Sequence, residues 1–179
     1  SRLMHALPPD FPASVFVVLH LMGTPLMLPP ILSGPLHASV ALDGERFARS
    51  RIYVAPAGSH MVLGRGLIRL THTPREKGCR PAIDPLFRSA ARVYGSCVVG
   101  VVLSGRLHDG SEGLAAIKEH GGVAVVQDPT DAKYGAMPTA AITSTHVDRV
   151  APVERLASVL VELVDESPSA APELLCEEA

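Results

Sequence analysis

The run CVVGVVL, residues 97–103, constrains the fold of this chain more than any other stretch. It is apolar at nearly every successive position, so both faces of a strand built from it have to be buried. A strand buried on both faces is typical of the centre of a parallel sheet that has helices on each side. The turn that follows is rich in glycine and carries one acid, Asp109, before a helical pattern begins at Ser111.

Strand-like and helix-like segments alternate along the rest of the chain, with short connections between them. Two short apolar runs around Gly64-Arg65-Gly66 predict a β-hairpin. The remaining predicted elements are strands at 14–20, 123–127 and 147–150, a strand followed by a turn at 50–58, and helices at 84–95, 111–122 and 151–166. Shorter helical segments are predicted at 24–34, where prolines interrupt the helix, and at 138–145. The pattern predicts an α/β fold with a doubly wound, mostly parallel sheet and one antiparallel hairpin, in a three-layer α/β/α arrangement.

Composition narrows the classes of function. Apolar residues make up 47% and aromatic residues 4% of the 179 residues, so the core must be built from aliphatic side chains. The formal net charge of −2 gives no electrostatic reason to expect nucleic-acid binding. The three cysteines lie too far apart for a zinc site, and no apolar run reaches the about 18 to 20 residues that span a bilayer. We therefore expect a cytoplasmic protein without a metal, another cofactor or a membrane insertion.

Polar side chains at the carboxyl ends of parallel strands are candidates for a functional site, because ligands of such sheets collect at that edge. His20 ends one predicted strand and Asp109 follows another. His20 could serve as a general base, or it could be an edge histidine bonded to the backbone. Asp109 could fix the tautomer of a histidine, or it could cap the helix that begins near Ser111, and one carboxylate could do both.

A base and an orienting acid need a nucleophile, and the residues supply no convincing one. No G-x-S-x-G turn occurs in the sequence. Ser104 lies too close to its strand and is expected to bond the backbone of the turn. Ser111 is a capping candidate, Cys97 begins a strand at the wrong edge, and Ser1 has no strand before it.

Other polar residues are weaker candidates. Arg80 and Arg106 lie in predicted loops, where either could hold an acidic substrate or simply be solvated. His60 begins a hairpin strand and could be only its polar end. His108 and Asp109 are neighbours in sequence, so their side chains point apart and do not predict a metal site.

Several stretches together resemble a known family. They are VLH (18–20), IYVAPAGSHMVL (52–63), RPAIDPLFRSAA (80–91), VVGVVLSGRLHDGSEGLAAIKEHGG (98–122), VVQDPTDAKYGAMPTAAI (125–142) and VDRVAPVERLA (147–157). Taken in order, they are similar to the catalytic domain of the chemotaxis protein-glutamate methylesterases, the CheB family. The resemblance implies removal of methyl esters from receptor glutamates by a Ser-His-Asp triad on a doubly wound α/β sheet, and in many members deamidation of receptor glutamines.

The resemblance places His20 and Asp109 at the family's histidine and aspartate, the latter in the motif L-[ST]-G-x-x-x-D-G. The family's serine lies in a G-A-S-x-G-G turn, which is absent from this sequence. We therefore expect the native protein to begin earlier and the 179 residues alone to be inactive. Arg106 and Leu107 replace the Met-Gly of the family's usual G-M-G-x-D-G, where a backbone amide of relatives helps to bind the oxyanion. This change would reshape the pocket, and Arg106 is a candidate substrate-binding residue.

Two main functions stay open. The first is a methylesterase domain over residues 1–166, followed by a disordered acidic tail over residues 167–179. The second is a catalytically inactive binding or regulatory module, which the missing serine turn and the changed GRLHDG turn suggest. A hydrolase of an unrelated small ester is a third alternative. The expected partners are the cytoplasmic helices of a chemoreceptor or a related signalling protein, and a receiver domain acting in trans.

Overall fold

The computed structural model describes residues 2–20 and 28–166. The helices are α1 (Arg2–Ala6), α2 (Leu28–Leu32), α3 (Ile83–Tyr94), α4 (Ser111–Glu119), α5 (Ala136–Ser144) and α6 (Val153–Glu166). The strands are β1 (Val15–Val17), β2 (His37–Val40), β3 (Arg51–Val54), β4 (His60–Gly64), β5 (Leu67–Thr71), β6 (Val99–Val102), β7 (Val123–Gln127) and β8 (Arg149–Ala151). The acidic tail predicted at 167–179 lies outside the described residues.

Within this part of the chain, the strands form two parallel sheets and one hairpin. The first sheet has the order β1-β3-β2 and the second has the order β6-β7-β8, and every pairing in both is parallel. β4 and β5 pair in antiparallel fashion around Arg65 and Gly66. The mostly parallel α/β fold with one antiparallel hairpin is therefore confirmed.

Helices cover both faces of the parallel strands. Along β7, Ala124 and Val126 pack into the cluster that contains the buried side chains of α4 and α5, whereas Val125 packs into the cluster built by α1 and α6. Successive side chains of a strand point to opposite faces, so a strand between two helical layers must be apolar throughout. Burying each valine side chain of this strand stabilises the fold by about 1.5 to 3 kcal/mol.

The two parallel sheets share one core. Ile52 and Val54 of β3 belong to the same buried cluster as Val125 of β7 and Leu156 of α6. This shared core holds the strands of both sheets together, so that turns following strands of different sheets can meet.

Two elements differ from the sequence expectation. The sequence does not predict β2, because in HASV only Ala38 is buried and no aliphatic run marks the strand. The segment 138–145, which resembles a short turn of helix in sequence, belongs to the longer helix α5, since Pro138 falls in its first turn, where proline is tolerated.

Candidate active site

The turns that follow β1 and β6 bring His20 and Asp109 together. Nε2 of His20 lies 2.8 Å from Oδ2 of Asp109. The side chain of Asp109 is 3% exposed and that of His20 is 27% exposed, so the acid is buried while the imidazole reaches solvent. The ionised carboxylate is an acceptor and holds the ring hydrogen on Nε2, which leaves Nδ1 as the nitrogen that can accept a proton.

The first turn of α3 holds the carboxylate of Asp109 in place. Ile83 donates its backbone N–H to Oδ2 at 2.7 Å, and Asp84 donates its backbone N–H to Oδ1 at 3.2 Å. Burial raises the pKa of Asp109, but the hydrogen bonds from His20 and from these two amides outweigh it, so the pKa is lowered. The carboxylate therefore stays ionised at neutral pH while it orients the imidazole.

The alternative role of Asp109 as the cap of α4 is wrong. The residue before α4 is Gly110, with φ 93°, and Asp109 bonds the amides of α3 instead. A Cβ on Gly110 would lie 3.0 Å from Cγ2 of Ile83, so both the positive φ and the approach of α3 require glycine. Ser111 is not a cap either: its Oγ is buried and has no hydrogen-bond partner among the described residues.

Asp84 mirrors Asp109 at the contact between α3 and α4. Its Oδ1 accepts the backbone N–H of Gly113 at 2.7 Å, so each helix start is bonded by an acid that belongs to the opposite element. The two helices are also in close contact, since a Cβ on Gly113 would lie 2.5 Å from Cβ of Phe87. The position of Asp109 therefore depends on how α3 and α4 pack.

Lys77 joins the loop before α3 to this contact. Its Nζ lies 2.6 Å from Oδ2 of Asp84 and 3.2 Å from Oε1 of Glu112, and it donates to the carbonyl oxygen of His108 at 3.4 Å. Burial lowers the pKa of Lys77, but the bonds to Asp84 and Glu112 raise it overall. Burial raises the pKa of Asp84 despite Lys77, and the nearby charge of Asp109 adds to the rise.

Lys77→Met is expected to lower the free energy of unfolding by about 3 kcal/mol, because it leaves the buried Asp84 without its cation. Burial already raises the pKa of Asp84, so the variant can take up a proton there, and the deficit should shrink as the pH is lowered. Urea unfolding at several pH values measures this. The control is Lys118→Met, which breaks the more exposed pair with Asp148. Equal losses in both variants at every pH would contradict the prediction.

His60 fixes the residue that precedes α3. Its Nδ1 accepts the backbone N–H of Ala82 at 3.2 Å, so its ring hydrogen lies on Nε2, which donates to the carbonyl oxygen of Pro74 at 3.1 Å. His60 is 0% exposed and is a core histidine with both nitrogens bonded. Consecutive amides at 82–84 are thus bonded by two side chains, those of His60 and Asp109.

Two substitutions of His60 test its two hydrogen bonds one at a time. His60→Asn keeps an acceptor close to the position of Nδ1, whereas His60→Gln keeps a donor close to the position of Nε2. We expect His60→Gln to be the less stable variant by about 1 kcal/mol, because it leaves the buried N–H of Ala82 without an acceptor. Thermal unfolding at neutral pH compares them. A larger loss in the Asn variant would assign the stabilisation to the Pro74 bond.

The other predicted polar residues have separate environments. Ser104 bonds the backbone, but that of another loop and not of its own turn, since its Oγ accepts the N–H of Tyr134 at 2.9 Å. Arg80 is not a free loop cation, because its guanidinium donates to the carbonyl oxygens of His72 and Thr73. Arg106 is exposed, with its Cζ 4.6 Å from the ring centroid of Tyr134.

Sequence reasoning did not identify Lys77, Asp84 or Tyr134 as neighbours of the site. The only local signal was an acid followed by Pro85, which is equally typical of an ordinary helix start. Over residues 2–20 and 28–166, no group of three or more His, Cys, Asp or Glu side chains could hold a metal ion. No helix in the same ranges is long and apolar enough to cross a membrane.

The fold and the contact between His20 and Asp109 together define a class of protein. A three-layer α/β domain that joins a histidine to a buried carboxylate, beyond the ends of parallel strands, is a framework used by hydrolases. The family model described as CheB methylesterase matches residues 1–160. The chain belongs to the CheB methylesterase family, which confirms the resemblance seen in the sequence.

Named relatives and a solved structure agree with this assignment. A protein-glutamate methylesterase/protein-glutamine glutaminase of Anaeromyxobacter dehalogenans is 40% identical over 91% of this chain and 49% of its own length. One from Clostridium acetobutylicum is 35% identical over 91% of this chain and 48% of its own length. The chain thus spans about half the length of these curated relatives. The crystal structure of the Thermotoga maritima CheB methylesterase catalytic domain matches with a TM-score of 0.85 and 29% identity, over 91% of this chain and 90% of that one.

Proposed function

We propose that this domain, over residues 1–166, hydrolyses methyl esters of glutamate side chains in a protein, and also side-chain amides of glutamines. The names of its relatives state both activities for those proteins. The observation that supports the proposal is the 2.8 Å contact between His20 and Asp109, with the imidazole accessible and the carboxylate buried. Such a pair is a general base with its orienting acid.

In this mechanism the nucleophile is a serine outside the 179 residues. Its Oγ attacks the γ-carbonyl carbon of the ester while Nδ1 of His20 takes the hydroxyl proton, and a backbone N–H of the turn that carries Asp109 donates to the developing oxyanion. When the tetrahedral intermediate collapses, the C–OCH₃ bond breaks and His20 gives its proton to the leaving oxygen, which departs as methanol. His20 then deprotonates a water molecule, which attacks the acyl carbon. The bond from that carbon to the serine Oγ breaks, His20 returns the proton to Oγ, and a free glutamate leaves.

The environment of Asp109 suits this role. An orienting acid must remain ionised throughout the cycle, and the hydrogen bonds from His20, Ile83 and Asp84 lower its pKa despite its burial. The imidazole must instead reach a substrate, and it is the exposed member of the pair. The mechanism derived from these residues uses no metal or organic cofactor.

The proposed substrate is a cytoplasmic helix of a methyl-accepting chemoreceptor or of a related signalling protein, and the proposed location is therefore the cytoplasm. A receiver domain acting in trans is the proposed regulator. Nucleic acid has no role in the mechanism, in keeping with the net charge of −2.

Methanol release from a methylated receptor fragment tests the activity. We expect release by the full-length gene product, no release by its His20→Ala variant, and none by the 179-residue chain alone, which contains no G-x-S-x-G turn. Absence of release by the full-length product would overturn the methylesterase function.

The second candidate is a binding module without catalysis. The observation that favours it is the changed turn, in which Leu107 has φ 65° at a position where the family usually has glycine. Binding of the receptor fragment by the full-length product, without methanol release from ester substrates or ammonia release from amide substrates, would establish this alternative.

A further inference from the structure

An aromatic and basic patch lies in the turn that carries Asp109. Cζ of Arg106 lies 4.6 Å and Nζ of Lys133 lies 5.6 Å from the ring centroid of Tyr134. All three side chains are exposed, and Arg106 is in the same turn as Asp109. A hydrogen bond from Arg106 and the charge of Lys133 lower the pKa of the Tyr134 phenol. We refer to these three residues with Leu107 as the basic patch.

The two loops that carry the basic patch are bonded to each other through their backbones. Gly105 donates its N–H to the carbonyl oxygen of Tyr134 at 3.0 Å, and Met137 donates its N–H to that of Gly105 at 3.1 Å. A Cβ on Gly105 would collide with Sδ of Met137, so the turn is in direct contact with the start of α5. Their side chains therefore project from a preorganised backbone, which lowers the entropy lost on binding.

The cations of the basic patch have no carboxylate partner among the described residues. Neither Arg106 nor Lys133 takes part in an ion pair within residues 2–20 and 28–166. The acids of the adjoining loop are bonded elsewhere: Asp128 accepts a hydroxyl of its own loop, and Asp131 accepts the side-chain amide of Gln127. Two positive charges are therefore available to a ligand in a chain whose net charge is −2.

Leu107 adds an apolar side chain beside the cations. It is 63% exposed, and its backbone has φ 65°, a left-handed conformation that is unfavourable for a residue with a branched side chain. Exposure and backbone strain both reduce stability, so neither is explained by folding. Contact with a bound partner is a physical reason to keep a leucine here.

We propose that the basic patch is a docking surface for an acidic segment of the protein substrate, next to the glutamate or glutamine that reacts. Arg106 and Lys133 would pair with carboxylates of that segment, while Leu107 and Tyr134 would pack against its aliphatic stems. The inference rests on the proposed function, because the patch shares a turn with Asp109 and would determine which protein side chains reach His20.

The charge and size of the patch favour an acidic protein segment over a nucleic acid. Single-stranded nucleic acids are bound by basic grooves that follow the backbone over several nucleotides, with successive aromatic platforms. The patch instead offers two cations, one aromatic ring and one leucine. This composition matches a short amphipathic segment with carboxylates and apolar stems.

Peptide binding to the 179-residue chain tests the proposal without requiring catalysis. The probes are a fluorescein-labelled peptide with a central glutamine flanked by glutamates, and a matched peptide with glutamines in their place. We expect the acidic peptide to bind about tenfold more tightly at low salt, and this preference to disappear in Arg106→Glu/Lys133→Glu. The control is Arg65→Glu/Arg69→Glu, which makes the same charge change on the exposed β4–β5 hairpin and should keep the preference.

Three outcomes would overturn the docking surface. They are no preference in the wild type, an equal loss in both double variants, and tighter binding of a single-stranded oligonucleotide than of the acidic peptide. If the peptide preference holds but the full-length product releases no methanol, the docking surface stands and the esterase function falls. If methanol is released but the peptide preference is absent, the esterase function stands and the docking surface falls.

Leu107→Gly separates docking from a structural role. Glycine accepts a φ of 65° without strain, so the variant should melt no lower than the wild type yet bind the acidic peptide several-fold more weakly. A lower melting temperature with unchanged peptide affinity would show that Leu107 serves the fold and would remove it from the surface.

Discussion

Asp109→Asn is expected to lower kcat for ester hydrolysis by the full-length gene product about 10⁴-fold, with little change in KM. The substitution keeps the size of the side chain but removes the charge that holds the hydrogen on Nε2 of His20. Without it the imidazole loses its tautomeric preference, and the imidazolium formed in each half-reaction loses its stabilising counter-charge. Initial rates over a range of substrate concentrations separate kcat from KM.

Asp148→Asn is the matched control for this prediction. Asp148 also accepts a backbone N–H, that of Ala124, and is paired with a cation, Lys118, and these bonds lower its pKa despite burial. It lies at the opposite edge of the sheet, before β8, so its loss should reduce stability without a comparable fall in kcat. Equal falls in both variants would show that the effect of Asp109 is on folding and not on catalysis.

Asp109→Asn should also change how the free energy of unfolding depends on pH. Because the pKa of Asp109 is lower in the folded chain than in the unfolded chain, the unfolded state binds more protons as the pH falls below about 4. The stability contributed by this carboxylate is therefore fully present above that pH and is lost below it. The asparagine side chain of the variant has no proton to gain, so its unfolding free energy should depend less steeply on pH in this acid range.

Gly113→Ala is expected to lower the free energy of unfolding by about 2 to 3 kcal/mol, although alanine is the better helix former. The new Cβ would lie 2.5 Å from Cβ of Phe87 and 3.1 Å from Cα of Asp84, and neither atom is the end of a flexible side chain. α3 and α4 would have to separate, which lengthens the bond from Gly113 to Asp84 and displaces the amides that hold Asp109. Urea unfolding measures the loss of stability.

Gly64→Ala is the control for that prediction. Gly64 ends β4, and the nearest atom to a Cβ there would be the carbonyl oxygen of Leu67 at 3.8 Å, an ordinary contact. We expect a change within about 0.5 kcal/mol. If Gly113→Ala proved as mild as Gly64→Ala, the contact between α3 and α4 would not be what positions Asp109.

Strand ends were the most informative feature of the sequence. The rule that polar residues cluster at the carboxyl edge of a parallel sheet selected His20 and Asp109 from a chain with eight histidines and eighteen acids. The rule works because it depends only on strand direction, which a long aliphatic run such as 97–103 indicates well. The separate helix-capping rule failed for Asp109, which bonds the start of α3 and not the helix that follows it in sequence.

Local rules could not find Asp84 or Lys77. A capping pattern describes an acid and its own helix, whereas Asp84 bonds an amide of another helix at Gly113. Lys77 has the sequence context of a solvated loop residue, yet it contacts three groups that only packing brings within reach. No periodicity links positions so far apart in sequence, so these partners are decided by the close approach of α3 and α4.

The layered α/β architecture and the family could be predicted from the sequence, because aliphatic runs, helical periods and short motifs are local in the chain. The positions of His20 and Asp109 after two predicted strands were also visible in the sequence. Three features follow only from packing: His20 lies 2.8 Å from Asp109, two helix amides keep the carboxylate ionised, and Arg106 lies over Tyr134. Each of these contacts joins residues from separate elements, and their distances depend on how helices and sheets pack around the shared core.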